Sequence, residues 1–242
     1  MDNLLHIRDL KFSWLNNKKP LLDIEDFAVQ AGDRIFLHGP SGSGKSTLLN
    51  LIAGVLVPQQ GKIEILKTNL SELSSGQRDQ FRGDHMGFIF QMFNLLPYFS
   101  AIENVTLPSE FSKKKSKKVL SNTKSLKDEA YRLLLELKLD AKTLENKKVT
   151  QLSVGQQQRV ATARALMGRP ELIIADEPTS ALDRNIRDDF LKLLFNECDK
   201  FGTTLIFVSH DQDLGKMFDR VVSLKEINRA EVSDFEEKEI KL

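Results

Sequence analysis

The segment Gly39–Ser46, GPSGSGKS, constrains the fold of this chain more than any other stretch. It fits the pattern G-x-x-x-x-G-K-[S/T] and lies between a predicted buried strand, Asp33–His38, and a predicted helix, Ser46–Ala53. Glycines allow such a loop to curl until its backbone N–H groups surround an anion at the positive end of the helix dipole. The sequence therefore predicts a phosphate-binding loop that follows a strand.

Three side chains at the end of this loop have distinct predicted roles. Lys45 places a positive charge on the β- and γ-phosphates of a nucleotide, Ser46 offers a hydroxyl to Mg²⁺, and Thr47 adds a hydroxyl to a phosphate. The alternative, a chance turn rich in Gly and Ser, is disfavoured by the strand and helix on either side. The predicted nucleotide-contacting set of the loop is Gly39, Pro40, Ser41, Gly42, Ser43, Gly44, Lys45, Ser46 and Thr47.

Short apolar runs alternate with helical patterns along the chain, which is typical of an α/β fold with a mostly parallel sheet. Further strands are predicted at Gly61–Leu66, Glu171–Asp176, Thr203–Ser209 and Arg220–Leu224. The length of 242 residues allows one or two domains. We predict an α/β core formed by residues 1–91 and 152–228.

The middle of the chain, residues 92–151, shows no strong strand pattern and is predicted to form an inserted helical subdomain. Lys127–Asp140 places four apolar residues on one helical face, namely Ala130, Leu133, Leu134 and Leu137. Phe111–Lys127 is rich in lysine and is interpreted as a solvated, mobile loop, with contact to lipid headgroups or an acidic partner as the alternative. Residues 229–242 are predicted to be a charged, frayed tail.

Composition and charge exclude several classes of protein. Lys and Arg number 35 against 34 Asp and Glu, so no overall field attracts nucleic acid, and direct binding of nucleic acid is not expected. We find neither the roughly 20 consecutive apolar residues of a membrane helix nor a signal peptide, and expect a cytoplasmic location. The single cysteine, Cys198, rules out an intrachain disulfide, and His6, His38 and His85 lack the spacing of a zinc site.

Two adjacent acids complete the predicted nucleotide site. Asp176 ends an apolar run and so emerges at the carboxyl edge of a strand, where parallel α/β folds bind ligands. It is suited to hold Mg²⁺, and the neighbouring Glu177 is suited to act as a general base toward water. The alternative is that both acids belong to a solvated turn.

The segment Leu152–Gln157, LSVGQQ, resembles the LSGGQ signature of the ABC-transporter ATPases. With the motifs above, the resemblance extends from about Leu5 to Leu224. It implies an ABC-type ATPase that binds ATP and Mg²⁺ on a P-loop NTPase core with a mixed sheet and an inserted α-helical subdomain. It also implies a homodimer in which two chains pack head to tail around two ATP molecules.

The resemblance assigns roles to further residues. Ser153, Gly155 and Gln156 of the signature would contact the ATP held by the other chain, and Val154 stands where the family usually has glycine, which we expect to alter packing but not function. Asp183, in the segment SALD, would contribute to the contact across the dimer and to nucleotide binding.

Three more positions match motifs of the family. Gln91 would touch Mg²⁺ or the attacking water, and His210 would sense the γ-phosphate. Trp14 would stack on adenine, with Phe12 as the alternative. The predicted catalytic groups are Lys45, Gln91, Glu177 and His210, and the predicted Mg²⁺ ligands are Ser46, Gln91 and Asp176.

The region Gly87–Pro108 is similar to that of the lipoprotein-release, macrolide-export and cell-division branch, the LolD/MacB/FtsE-like proteins. Such a chain lies on the inner face of the plasma membrane, bound to separate permease subunits of FtsX-like type, and does not touch the cargo. Several apolar residues would either line the groove that receives the permease or pack inside the helical subdomain, namely Phe93, Leu95, Leu96, Tyr98 and Phe99.

Other functions stay open at this point. An ABC ATPase that acts on ribosomes or DNA usually carries two cassettes or a long coiled coil, and this sequence shows one cassette. Mechanotransmission, in which ATP cycling pulls on a periplasmic apparatus, fits the sequence as well as export or import does. A P-loop kinase or GTPase would have no use for the signature segment.

Overall fold

A computed structural model describes residues 3–14, 19–145, 147–180 and 182–230 of the chain. The described strands are β1 Asn3–Phe12, β2 Leu22–Gln30, β3 Arg34–His38, β4 Gln60–Ile65, β5 Thr68–Asn69, β6 Met86–Phe90, β7 Leu172–Asp176, β8 Thr204–Val208 and β9 Arg220–Ser223. The described α-helices are α1 Lys45–Ile52, α2 Ser75–His85, α3 Ala101–Phe111, α4 Lys113–Leu120, α5 Leu126–Glu136, α6 Ala141–Leu144, α7 Val154–Leu166, α8 Arg184–Phe201 and α9 Leu224–Ile227.

An antiparallel sheet begins the fold, with the strand order β2-β1-β4-β5. In β1 the residues Leu5, Ile7, Leu10 and Phe12 are buried, because one face of this sheet packs on the core while the other meets solvent. Ile7 is paired with Phe27 of β2 on one side and with Ile63 of β4 on the other. This register places three apolar side chains together on the buried face.

A parallel sheet has the strand order β6-β7-β8-β3-β9. The central residues of its inner strands are apolar and buried, as expected for strands covered on both faces. The carboxyl ends of β3, β6, β7 and β8 lead respectively to the glycine-rich loop, Gln91, Glu177 and Ser209–His210. Four predicted functional segments therefore leave the same edge of one sheet.

The predicted α/β class is confirmed, and the parallel and antiparallel strands belong to two sheets. Five predicted strands are present with ends shifted by at most two residues, and the predicted helix after the phosphate loop is α1. The chain also folds α2 and α8, for which the sequence analysis made no prediction.

Helices α3 to α7 occupy the chain between β6 and β7. The four apolar residues predicted to share a helical face are all buried in the core beneath α5. Ser125 caps α5 by accepting a hydrogen bond from the backbone N–H of Asp128 at 3.1 Å. The division of the chain into core and inserted subdomain remains a prediction, and residues 231–242 of the predicted tail lie outside the described residues.

The prediction of a solvated loop in the lysine-rich segment was wrong. Lys113–Leu120 forms α4, and the Lys115 side chain is buried with its ammonium donating to the carbonyl of Met86 at 2.7 Å. Lys118 donates to Glu171 at 2.8 Å. A lysine stem can cover apolar surface while its ammonium reaches an acceptor, so a count of charges does not decide exposure.

Cys198 is buried in α8, and burial raises the pKa of its thiol to about 12, which suits an unreactive core residue.

Among the helices that the structure describes, none is long and apolar enough to cross a bilayer.

Candidate nucleotide-binding site

The glycine-rich loop encloses its own lysine. Gly42 and Gly44 have φ of +74° and +102°, a left-handed conformation that glycine adopts without strain. Lys45 begins α1, and its buried ammonium donates to the carbonyls of Gly39 at 2.7 Å and Pro40 at 3.0 Å. Burial lowers the pKa of Lys45, and nearby carboxylates oppose that shift. The charge that would meet a phosphate thus lies inside the loop, held by backbone acceptors.

An oxygen-rich pair lies at the start of α1 and the end of β7. The hydroxyl of Ser46 donates to Oδ2 of Asp176 at 3.5 Å. Burial raises the pKa of Asp176 by removing its charge from water, and Ser46, Lys45 and His210 oppose that shift. No cluster of three His, Cys, Asp or Glu able to hold a metal occurs among the described residues. The hydroxyl and carboxylate of this pair fit Mg²⁺, which binds through one or two carboxylates and the phosphates of a nucleotide.

Glu177 and His210 come together at the ends of two neighbouring strands. The backbone N–H of Glu177 donates to the carbonyl of Val208 at 3.0 Å, which fixes the turn after β7. His210 Nε2 lies 3.2 Å from Glu177 Oε1, and the glutamate side chain is mostly buried while the histidine is exposed. Burial raises the pKa of Glu177, and His210 opposes the shift. A carboxylate with a raised pKa is a better proton acceptor than an ordinary one.

These groups line one cavity of 570 Å³. Its lining consists of Trp14, Leu21, Ser41, Gly42, Gly44, Lys45, Ser46, Thr47, Gln91, Asp176, Glu177 and His210. Of the predicted loop residues, Gly39, Pro40 and Ser43 lie outside this lining. The cavity thus brings together acids, a base, hydroxyls and an aromatic ring.

Trp14 and Phe12 have different surroundings at the end of β1. Trp14 is 47% exposed and lines the cavity, whereas Phe12 is 5% exposed and packs in the core. The two rings meet edge to face at 5.3 Å. Phe12 therefore supports the indole from below, and Trp14 is the ring with a face open to a base.

The signature residues lie away from this cavity. Ser153 caps α7 by accepting from the N–H of Gln156 at 3.3 Å, and Gln156 Oε1 accepts from the N–H of Ser153 at 3.0 Å. Val154 is half exposed, and a Cβ at Gly155 would meet no other atom. Ser153, Gly155, Gln156 and Asp183 do not line the cavity, so a single chain does not join them to the phosphate loop.

Arg164 connects α7 with the segment after β6, and the sequence analysis did not identify it. Its guanidinium donates to the carbonyls of Phe93 at 2.7 Å and Asn94 at 2.6 Å. Both acceptor residues have positive φ, of 58° and 48°, an unusual conformation for residues with side chains. Arg164 therefore secures the loop that follows Gln91, and no sequence motif marks it.

The five apolar residues predicted to line a groove divide into two groups. Leu95 packs against the core and Phe93 is half-buried, whereas Leu96, Tyr98 and Phe99 are exposed. The adjacent groove, of 540 Å³, is lined by other residues of β6, α2, α3, α4 and α7, including Phe88, Phe90, Phe111 and Arg164. None of the five lines this groove.

Comparisons with known proteins relate this geometry to a family. Residues 22–180 match the family model described as ABC transporter. The chain is 38% identical over 201 residues to the lipoprotein-releasing system ATP-binding protein LolD of Legionella pneumophila strain Paris, covering 83% of this chain and 85% of LolD. It is 40% identical over 198 residues to the macrolide export ATP-binding/permease protein MacB of Haemophilus ducreyi, covering 82% of this chain but 27% of MacB.

Among solved structures, the fold is similar to the dimeric post-hydrolysis state of the ATP-binding cassette MJ0796 bound to ADP and Pi. The TM-score is 0.80 at 33% identity, and the match covers 94% of this chain and 97% of the other. The protein of that name from Methanocaldococcus jannaschii is itself 38% identical to this chain over 205 residues.

Proposed function

Because the chain belongs to the ABC transporter family, as an ABC-type ATPase of the LolD/MacB-like branch, we propose that two copies close head to tail around two Mg-ATP. Closure and hydrolysis would then drive a separate membrane permease. One observation carries the proposal: the cavity holds the phosphate loop, both acids and His210, whereas the signature lies elsewhere on the same chain. A second copy completes each site.

Different residues of one chain would bind different parts of Mg-ATP. Trp14 stacks on adenine, and the N–H groups of the glycine-rich loop donate hydrogen bonds to the phosphates. Lys45 exchanges its two backbone carbonyl acceptors for phosphate oxygens. Ser46, Gln91 and Asp176 would hold Mg²⁺, which neutralises charge on the phosphates when bound.

Glu177 and His210 would perform the chemical step. The carboxylate of Glu177 accepts a proton from the attacking water, and its raised pKa suits that task. His210, 3.2 Å away, orients the carboxylate and can reach the γ-phosphate from the exposed side. The partner's Ser153, Gly155 and Gln156 stabilise the charge that develops on the γ-phosphoryl group, and Asp183 lies at the contact between copies.

Coupling to a permease is supported by the surface beside Gln91. Phe88 and Phe90 stack at 5.8 Å along one wall of the groove, and Phe111, which also lines it, is 82% exposed. An apolar groove of this kind accepts an amphipathic segment of another protein. We propose an FtsX-like permease as that partner, so that the chain lies on the inner face of the membrane and powers export of a lipoprotein, drug or peptide.

A capture experiment tests this proposal. Tagged Glu177→Gln protein with Mg-ATP is incubated with detergent-solubilised membranes, and copurifying proteins are identified. An integral membrane protein in a two-to-two ratio is the expected result, and Phe111→Glu, at an exposed residue of the groove, should weaken its capture. Val221→Glu, at an exposed apolar residue of β9, serves as the matched control and should leave capture unchanged. Recovery of ribosomes or DNA without a membrane protein would contradict the proposal.

A further inference from the structure

The corner where α3, α4 and the start of α5 meet contains a second cavity, of 570 Å³, that the ATPase site does not use. Two lysines of α4, Lys113 and Lys117, line it with Ser116 and Leu120. The spacing of four and three residues puts Lys113, Lys117 and Leu120 on one helical face. This face is separate from the one that buries Lys115.

The lysines of α4 differ in their surroundings. Lys115 and Lys118 turn inward to Met86 and Glu171, as described above. Lys113 and Lys117 are exposed and form no ion pair with the residues that the structure describes. Two adjacent ammonium groups therefore face the cavity with no anion beside them other than Glu110, whose carboxylate accepts a hydrogen bond from Thr106 at 2.7 Å.

A buried hydroxyl lies in the same lining. Ser109 is 1% exposed, and its Oγ has no hydrogen-bond partner within the described structure. Buried hydroxyls are nearly always hydrogen-bonded, and one that shares a cavity lining with two lysines can donate to an anion bound there. The acceptor that suits two ammonium groups and hydroxyls is a phosphate oxygen.

Apolar side chains on both sides of α4 indicate where that phosphate comes from. Phe111, just before the helix, is 82% exposed, and Leu120, at its end, is 51% exposed. Phe111 also lines the groove proposed to receive the permease, which brings this corner close to the bilayer. A helix with basic and apolar exposed residues binds at the interface of anionic membranes.

We propose that this corner is a binding site for the phosphate headgroup of an anionic phospholipid. Lys113 and Lys117 pair with the phosphate, Ser109 donates its free hydroxyl, and Phe111 and Leu120 contact the acyl boundary. The inference rests on the proposed function only for the nearness of a membrane. It gives the chain a contact with lipid besides its contact with the permease.

Vesicle flotation of the purified chain tests the site without a permease. Vesicles of phosphatidylcholine with phosphatidylglycerol should bind the chain, and vesicles of phosphatidylcholine alone should not. Each lysine near an anionic surface strengthens binding about fivefold, so the double variant Lys113→Gln, Lys117→Gln should bind about 25-fold more weakly. The double variant Lys192→Gln, Lys225→Gln removes the same charge from exposed lysines of α8 and α9 and should bind like the parent.

Ser109→Ala distinguishes a built headgroup site from general charge attraction. This variant should bind anionic vesicles several-fold more weakly, because the attraction of the lysines survives but one donor is lost. Equal loss in both double variants, or unchanged binding of Ser109→Ala, would overturn the proposal. Displacement of vesicles by inorganic phosphate at matched ionic strength would assign the cavity to a free ion and overturn it too.

ATP hydrolysis measured in the same samples separates this inference from the proposed function. Lys113, Lys117 and Ser109 lie outside the nucleotide cavity, so these variants should hydrolyse ATP like the parent. Normal hydrolysis without vesicle binding would overturn the lipid site alone. Absence of hydrolysis in the parent chain would contradict the proposed function instead.

Discussion

Asp176 and Glu177 are adjacent in the chain but face different partners. Asp176 accepts from the hydroxyl of Ser46 at the start of α1, whereas Glu177 meets the imidazole of His210 beyond β8. Glu177 has a positive φ of 48°, and its N–H is tied to β8. The turn thus separates two like charges, so that one is available to a cation and the other to water.

Replacing Glu177 with Gln should reduce the ATP turnover of the chain by at least about 100-fold, since a positioned general base contributes that much or more. Binding of ATP should persist, because the phosphate loop is untouched. Phosphate release and ATP-dependent dimerisation by light scattering measure the two effects. Glu226→Gln, at an exposed residue of α9, is the control and should keep the turnover of the parent. Parental turnover in Glu177→Gln would show that Glu177 is not the general base.

Burial of the two acids also predicts a pH dependence. The proposed mechanism needs Glu177 deprotonated, and burial raises its pKa above the ordinary glutamate value of about 4.3. As the pH is lowered, the turnover should therefore begin to fall while the pH is still above that value and the circular dichroism of the folded chain is unchanged. A pH–rate profile measures this, and an acid limb at or below about pH 4 would contradict the buried environment of the base.

Among the elements, β6 and α7 approach each other closely at Gly87. A Cβ at this position would lie 2.1 Å from the carbonyl oxygen of Ala165, so only glycine fits without a shift of the strand or helix. The contact holds the strand that leads to Gln91 against the helix that follows the signature. The contact therefore links the segment that carries Gln91 to the signature helix within one chain.

Gly87→Ala should lower the free energy of unfolding by about 1–3 kcal/mol or more, because overpacking displaces backbone atoms on both elements. Gly83→Ala is the matched control, since a Cβ there meets nothing within 4 Å and Gly83 lies inside α2. Alanine in place of a helical glycine stabilises by about 0.5–1 kcal/mol. Urea denaturation of both variants measures the difference, and equal midpoints would show that β6 and α7 can move apart freely.

Helix α4 predicts a second pH effect, through its buried lysine. Burial lowers the pKa of Lys115 to about 8, against about 10.4 in an unfolded chain. The unfolded state binds more protons between these values, so the stability contributed at this site rises as pH increases from about 8 to 10. The difference in unfolding free energy between Lys115→Met and parent should shift by roughly 2 kcal/mol across that range, and Lys113→Met, at an exposed residue, should show no such shift.

The sequence allowed prediction of β3, β7 and β8, three of the strands that border the nucleotide cavity, because each leads to a chemically distinctive residue. Gly39, Asp176 and His210 follow apolar runs, and a parallel sheet brings such ends to one edge. Arg164 could not be found in this way, since its two acceptors are backbone carbonyls about 70 residues away that carry no sequence signal. Helix α4 was missed because its lysines hide the inward periodicity of Lys115 and Val119.

At the scale of the whole molecule, each ATP site of the proposed dimer is formed by residues of both chains. Ser153→Asp should keep the cap of α7, since aspartate is as good a cap as serine, but it should abolish hydrolysis by placing a carboxylate against the partner's ATP. Lys45→Ala should abolish hydrolysis by removing the positive charge of the phosphate loop. Mixing the two inactive variants should restore activity, because one of the two sites in a mixed dimer has an intact loop and an intact signature.

Phosphate release from the two variants alone and mixed measures this complementation. Unfolding midpoints equal to the parent show that Ser153→Asp is folded. A mixture as inactive as its components, with mixed dimers present, would contradict the head-to-tail arrangement.

The separation of the signature from the nucleotide cavity has a consequence for the cell as a whole. On the proposed arrangement, an isolated copy can bind ATP but cannot consume it, so scattered copies leave the nucleotide pool intact. A permease that anchors two copies side by side raises their effective concentration far above that of free chains. ATP hydrolysis is then fastest where the permease is present, without any dedicated regulator.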